Sequence, residues 1–445
     1  MILKMKKIFI PVSALLFLTM FTFSQSWTLL ITTNTPAART LSTSIYNPLN
    51  NSMIMFGGKL NNGNVLNEVW SLNLTSNVWT NITPSTGPMP TARFTHNAMY
   101  DSVMNRMLIW SGQGAENYND VWAFNLSNNT WHQLWMDGNM SGVPEKRYGT
   151  AAIFDPVKRR IINFAGFTAG QRFSDTWYFH VDSLLWRDMS NAVHPSGRCL
   201  HNAAYDAVQR RMIVYAGFSD STLHDDIWAL NPDTFTWTDI TPAIRPAGRY
   251  FVSEIITKNR NVLVFGGNTA QGTTNEMWRY SLINNTWDSV SQGVSRPMPR
   301  FGQSTMYIPS QEKMFIFGGG DNNNFLGDLW VFNNIGAIGI KNISNKIPES
   351  FSLSQNYPNP FNPGTKIKFD IPVGNAYMRS VQLTIYDVLG KEVATLINQQ
   401  LRPGSYEVEW SAANFPSGIY FYKLVVGENT NNGGFNVTKK MLLVK

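Results

Sequence analysis

Along most of the chain apolar residues fall on alternate positions in short runs, and each run is broken by Gly, Pro, Asn, Asp or Ser. A period of two belongs to strands that present one face to each side of a pleated sheet. After Arg198 the pattern reads "CLHNAAYD", a turn "AVQRR", then "MIVYAGF"; a polar loop leads to "DIWALN", a turn "PDTF" and "TWTDI". Four short strands in two hairpins are predicted, and both faces are apolar enough to pack between neighbouring sheets.

The same unit returns about every fifty residues. Trp70, Trp122, Trp177, Trp228, Trp278 and Trp330 are spaced by 52, 55, 51, 50 and 52 residues. The first five have a second tryptophan nine residues on: Trp79, Trp131, Trp186, Trp237 and Trp287. Two residues before each of the six stands a carboxylate, Glu68, Asp120, Asp175, Asp226, Glu276 or Asp328. Arginine recurs at 39, 93, 147, 198, 249 and 300, followed 18 or 19 residues later by the second member of a small pair. The pairs are Gly57-Gly58, Ser111-Gly112, Ala165-Gly166, Ala216-Gly217, Gly266-Gly267 and Gly318-Gly319. They fit the end of a second strand, where the backbone bends and a Cβ is excluded.

The sixth unit has Gly339 where its second tryptophan belongs. At the other end Trp27, in "SWTLLITT", stands 12 residues before Arg39, as Trp186 and Trp237 stand before Arg198 and Arg249. The amino-terminal segment is therefore predicted to supply the missing fourth strand and close a ring of six sheets, which removes the exposed edge strands that an open array would present.

The small-Gly pair, the Asp/Glu-x-Trp, the later Trp and the recurring arginine together resemble the kelch repeat over residues 27–334. The first glycine of the pair is replaced in repeats two to four by Ser111, Ala165 and Ala216. The resemblance implies a propeller of four-stranded blades around a central channel, first strands innermost. After it "IGAIGIKNISNKIPES" reads as a linker, and about seven alternating strands separated by Gly/Pro/Asn turns follow. Asn-Tyr-Pro-Asn-Pro-Phe-Asn-Pro (356–363), Tyr-Asp-Val-Leu-Gly-Lys-Glu-Val (386–393), Ser-Gly-Ile-Tyr-Phe-Tyr (417–422) and the Lys-Lys-Met-Leu-Leu-Val-Lys tail are similar to the type A C-terminal sorting domain of type IX secretion clients. That resemblance implies passage across the outer membrane, then release or attachment at the cell surface. The predicted fold class is all-β, a six-bladed kelch-type β-propeller followed by a small Ig/fibronectin-like β-sandwich.

The first residues carry a lysine-containing n-region, an apolar run from Ile8 to Phe23 and the small exit Ser24-Gln25-Ser26, the layout of a secretory signal peptide. The expected organisation is a signal peptide over 1–24, the propeller over 25–334, a linker over 335–350 and the sorting domain over 351–445. No transmembrane anchor is expected in the mature chain, and the product is placed outside the cell or on the outer-membrane surface. A single cysteine, Cys199, excludes an intrachain disulfide. The formal charge of +7 includes Lys4, Lys6 and Lys7 of the leader, and the rest is scattered, so no nucleic-acid footprint is read from it.

Six equivalent Arg and Asp/Glu sets, all on one face of the ring, point to repeated structural ion pairs, since catalysis needs one unique set of groups. His96 and His201 lie three residues after a repeat arginine and are read as structural; no ligand spacing is present, and no metal or cofactor is expected. Kelch relatives that are copper oxidases use a cysteine-crosslinked tyrosine, but only Cys199 matches that pattern. An iron-binding Glu-x3-Asp-x3-His pattern begins at Glu116 and Asp120 and fails at Phe124. No long insertion builds a catalytic wall. The leading expectation is a binding protein that uses the face bearing the loops between second and third strands, with a glycan or surface protein as ligand. The alternatives are a glycan-active or sialic-acid-epimerase-like enzyme at the channel mouth, and a structural matrix component. The longest loop, between Trp131 and Arg147, carries Trp135, Met136 and Met140. Neighbouring loops offer Glu116, Tyr118, Gln171, Arg172, Phe173, His224, Asp225 and Asp321 as ligand-binding candidates, since aromatic platforms beside polar groups suit sugar rings. Residues 351–445 would engage the type IX machinery.

Overall fold

The computed structural model describes residues 25–445 apart from 284, 291, 294, 322, 334, 336–340, 345–346, 374–378, 402, 413–414 and 428–433. The leader expected over 1–24 lies outside the described residues, as does part of the expected linker. Among the described residues there is no α-helix, and so no helix long and apolar enough to cross a membrane.

Six four-stranded antiparallel sheets occupy the repeat region. In the fourth repeat the order is Asn202–Asp206, Arg211–Tyr215, Ile227–Asn231 and Thr236–Asp239, the two predicted hairpins joined edge to edge. In the sixth, Ser304–Ile308, Lys313–Phe317 and Leu329–Asn333 are completed by Ser26–Leu30. That strand pairs antiparallel with Leu329–Asn333, setting Trp27 opposite Phe332 and Leu29 opposite Trp330.

An aromatic residue immediately before each small pair holds neighbouring sheets together. Phe56, Trp110, Phe164, Tyr215, Phe265 and Phe317 meet the fourth-strand tryptophan of the next sheet, namely Trp131, Trp186, Trp237, Trp287, Trp27 and Trp79, at centroid distances of 4.5–5.2 Å. All twelve rings are buried. The contacts run from each repeat to the next and return from the sixth to the first. The first strands likewise adjoin one another in a closed cycle.

The residues after Asn334 form two further four-stranded antiparallel sheets. One holds Gly364–Ile371 and Gly404–Ser411 centrally, the other Arg379–Tyr386 and Gly418–Val426. Ile367, Phe369 and Val408 of the first share one apolar core with Val381, Leu383 and Leu424 of the second. The proline-rich motif ties this unit to its last strand, Phe435–Leu443: Asn359 Oδ1 accepts from Leu442 N (2.9 Å), and Phe361 N donates to Leu442 O (3.0 Å).

Candidate functional site

The recurring arginines are fully buried and make the same contacts in every repeat. Each guanidinium meets the carboxylate downstream, from Arg39–Glu68 at 2.9 Å to Arg93–Asp120 at 2.6 Å. Nη1 also donates to the carbonyl of the small pair's first residue, and Nε to the carbonyl two residues before the arginine. The same carboxylate accepts the indole N–H of the tryptophan two residues on, at 2.6–3.0 Å. Carboxylate and tryptophan are two apart because alternate residues of a strand share a face. These six clamps are structural.

The small pair obeys one conformational rule. Its first residue has φ of 58–71°, a left-handed conformation open to Ser and Ala, whereas its second has φ of 92–116° and is always glycine. A Cβ there would come within 2.6–3.0 Å of the side chain three residues after the arginine, the residue just before the adjoining first strand.

The expected site residues divide. Tyr118 and Phe173 are buried, with the guanidinium carbons of Arg93 and Arg147 at 4.4 and 3.7 Å from their rings. Both belong to the clamps. Gln171, Arg172 and Phe173 were expected in a loop but open the strand Gln171–His180, because in repeat three the second and third strands resume pairing beyond an irregularity between Phe164 and Gly166 and continue to Thr168 and Gln171. Trp135 likewise ends the strand Thr130–Trp135, half-buried, with its ring 6.2 Å from Phe179 of the next sheet. Exposed Glu116 pairs with Lys146 at 2.8 Å, and Asp225 pairs with Arg245 at 2.9 Å. Asp321 accepts the amides of Asn324 and Asn323, which hold its carboxyl below the usual range. The His224 ring contacts Ser219 Oγ at 2.8 Å, and burial lowers its pKa.

Arg172 leads to a surface the loop argument missed. Its guanidinium lies 5.0 Å from the Phe167 ring and 5.3 Å from Phe218, while Nη1 pairs with exposed Asp220 at 2.6 Å. Phe167 meets Tyr148 (5.4 Å), Phe218 meets Tyr250 (5.8 Å), Tyr250 meets Phe251 (5.3 Å) and Phe251 stacks on Phe301 (5.9 Å). All are half-exposed and form one arc on the arginine side, over repeats three to six. The arc arises from a bridge between the residue after each arginine and the residue after each small pair, such as Tyr148 with Phe167 and Cys199 with Phe218. A signal existed in the sequence. The residue after the arginine is aromatic in four of six repeats, at Phe94, Tyr148, Tyr250 and Phe301.

Inside the arc the six first strands enclose a cavity of about 230 Å³. Around it Leu41, Thr95, Gly149, Leu200, Phe251 and Gly302 all have φ of 52–61°. Each donates its backbone N–H to the carbonyl of the counterpart in the preceding repeat, and Leu41 closes the circuit onto Gly302 at 2.6 Å. One closed girdle of six peptide hydrogen bonds results.

A ring of repeated four-stranded sheets, clamped by arginines and lined by its first strands, defines a β-propeller. The chain belongs to the kelch-repeat family, since residues 12–191, 135–243 and 189–337 match the KLHDC2/KLHL20/DRC7 Kelch-repeats domain. Residues 355–443 match the secretion system C-terminal sorting domain, which directs export to the cell surface or beyond. Among curated proteins the chain is similar to the leucine-zipper-like transcriptional regulator 1 homolog of Drosophila melanogaster, 24% identical over 63% of this chain and 30% of that protein. It is also similar to Mei4-dependent protein 6 of Schizosaccharomyces pombe, 24% identical over 39% of this chain and 28% of that protein. Kelch domain-containing protein 10 of Rattus norvegicus is 22% identical over 48% of this chain and 54% of that protein. The chain thus spans about a third to a half of these relatives' lengths.

Proposed function

We propose that this chain is a secreted or surface-attached binding protein, a six-bladed kelch propeller over residues 25–334 joined by a linker over 335–350 to the sorting domain over 351–445. On this reading residues 1–24 are a cleaved signal peptide, and the type IX machinery carries the folded protein out through its C-terminal domain. The arc from Tyr148 to Phe301, with Arg172 held between two rings, supports this reading above all. Half-exposed aromatic faces in continuous contact, rimmed by a charged pair and polar loops, are features of ligand-binding surfaces. Glycans are the ligand class that best fits ring faces beside hydrogen-bonding groups, and a surface protein is the alternative.

Tyr250→Ala and Phe301→Ala each remove a rim ring outside the buried inter-sheet contacts. Each is expected to lower binding on a glycan array by at least about tenfold, roughly 1.4 kcal/mol, with little change in melting temperature. If binding to glycans is absent but capture of a surface protein depends on the same two residues, the ligand is that protein. Undiminished binding in both variants would place the site elsewhere.

A further inference from the structure

The six first strands are not equivalent where they line the channel cavity. Five residues after the repeat arginine stand Ser44, Ala98, Ala152, Ala203 and Thr305, all small, and in the fifth repeat Glu254. Glu254 is 8% exposed, and neither carboxyl oxygen has a hydrogen-bond partner among the described residues. The six arginines nearby are all committed to their own carboxylates, and no lysine or arginine lines the cavity. Leaving a buried carboxyl without a partner is unfavourable, and such a cost persists where the group has a use. Packing alone does not require it, because alanine fills the same position in three other repeats.

The remaining lining is neutral and rich in hydrogen-bonding groups, including Thr95, Asn97, Thr150, Asn202 and Thr305. His96 also faces the cavity, with Nε2 bound to Thr43 Oγ1 at 2.6 Å and Nδ1 unpartnered among the described residues. Hydroxyls, amides and a neutral imidazole can each both donate and accept, which matches a polyhydroxylated ligand. At about 230 Å³ the cavity falls below the range for drug-sized molecules and is limited to a compound of about monosaccharide size. One carboxyl, with no lysine or arginine in the lining and only the imidazoles of His96 and His201 beside it, then selects for a cation. We propose that the channel cavity binds a small hydroxylated primary amine, of the amino-sugar class, with its ammonium group on the Glu254 carboxyl. The cavity meets the aromatic rim at Phe251, but Glu254 lies outside that rim, and the proposal does not rest on the rim's binding glycans. Binding sets the ammonium group against the Glu254 carboxylate as an ion pair inside the cavity.

The full mature protein titrated calorimetrically with glucosamine near neutral pH tests this. Saturable binding is expected, and glucose, which bears a hydroxyl in place of the amine, should bind at least about tenfold more weakly. Glu254→Gln should abolish glucosamine binding while leaving glycan binding at the rim unchanged. Ala98→Leu, which narrows the cavity without touching the carboxyl, should also block binding and serves if Glu254→Gln does not fold. The proposal is overturned if glucosamine does not bind, if glucose binds equally well, or if binding survives in the folded Glu254→Gln or Ala98→Leu protein.

Discussion

At the scale of single residues, the channel sets an unusual pH dependence. Burial disfavours the Glu254 anion and holds its carboxyl well above the ordinary carboxylate range. Burial holds His96 and His201 below the ordinary histidine range, with Arg93 and Arg198 adding repulsion, and His201 reaches about 3. Below the ordinary glutamate value of 4.5 the folded and unfolded carboxyls are both protonated. As pH rises above it only the unfolded chain releases that proton, so folding loses about 1.4 kcal/mol per pH unit until the folded carboxyl ionises. The histidines act in the opposite sense. Below their ordinary value of 6.5 the unfolded imidazoles take up protons that the folded ones refuse, so stability falls as pH falls toward their folded values. Two histidines outweigh one glutamate below that point, so the net contribution of these three groups rises with pH up to about 6.5. Glu254→Gln should become increasingly more stable than the parent as pH rises, and His201→Gln should lose less stability on acidification. Melting temperatures from about pH 4 to pH 9 check both, and parallel curves for parent and variant would show the group to be solvated.

At the scale of elements, the ring depends on Ser26–Leu30. Trp27 is 3% exposed, lies 4.9 Å from Phe265 and 5.0 Å from Phe332, and donates its indole N–H to Gln292 Oε1 at 2.8 Å. Trp27→Ala should cost about 3–5 kcal/mol, the usual range for truncating a buried large aromatic, measured by denaturant unfolding. An effect below about 1 kcal/mol would mean that the sheet tolerates the loss of its outermost strand. This element was legible because a nine-residue interval failed at Gly339 and a twelve-residue interval reappeared at Trp27. The arginine–carboxylate clamps were legible for the same reason, since six repetitions leave little room for chance. The site was far less so. Loop position offered Tyr118 and Phe173 as ligand contacts, yet an arginine stacked on each makes both part of the frame. The rim arises from cross-strand bridges between residues about nineteen positions apart, a proximity that linear spacing does not announce. Glu254 was hidden differently. Its alternation within the strand is ordinary, and only the closed ring turns that face into a cavity wall.

At the scale of the whole molecule, export and folding use separate parts of the chain. The core of the C-terminal unit contains no residue before Leu353, and the repeat region's cores contain none after Ile335. Removing residues 351–445 should therefore leave the propeller folded, with an unchanged thermal transition, but retained in the periplasm of the native host. Fractionation with immunodetection reads the outcome, and normal recovery at the surface or in the medium would contradict the role of the tail. The girdle of peptide hydrogen bonds has a consequence for how the propeller comes apart. An open array of repeats can fray from its ends, because a terminal unit has only one neighbour to leave. Here each of Leu41, Thr95, Gly149, Leu200, Phe251 and Gly302 is linked on both sides, and the aromatic contacts return from the sixth sheet to the first. Like a barrel hoop, the circuit has no weakest end, so losing any one sheet slackens all the others and the propeller stands or collapses as one cooperative body.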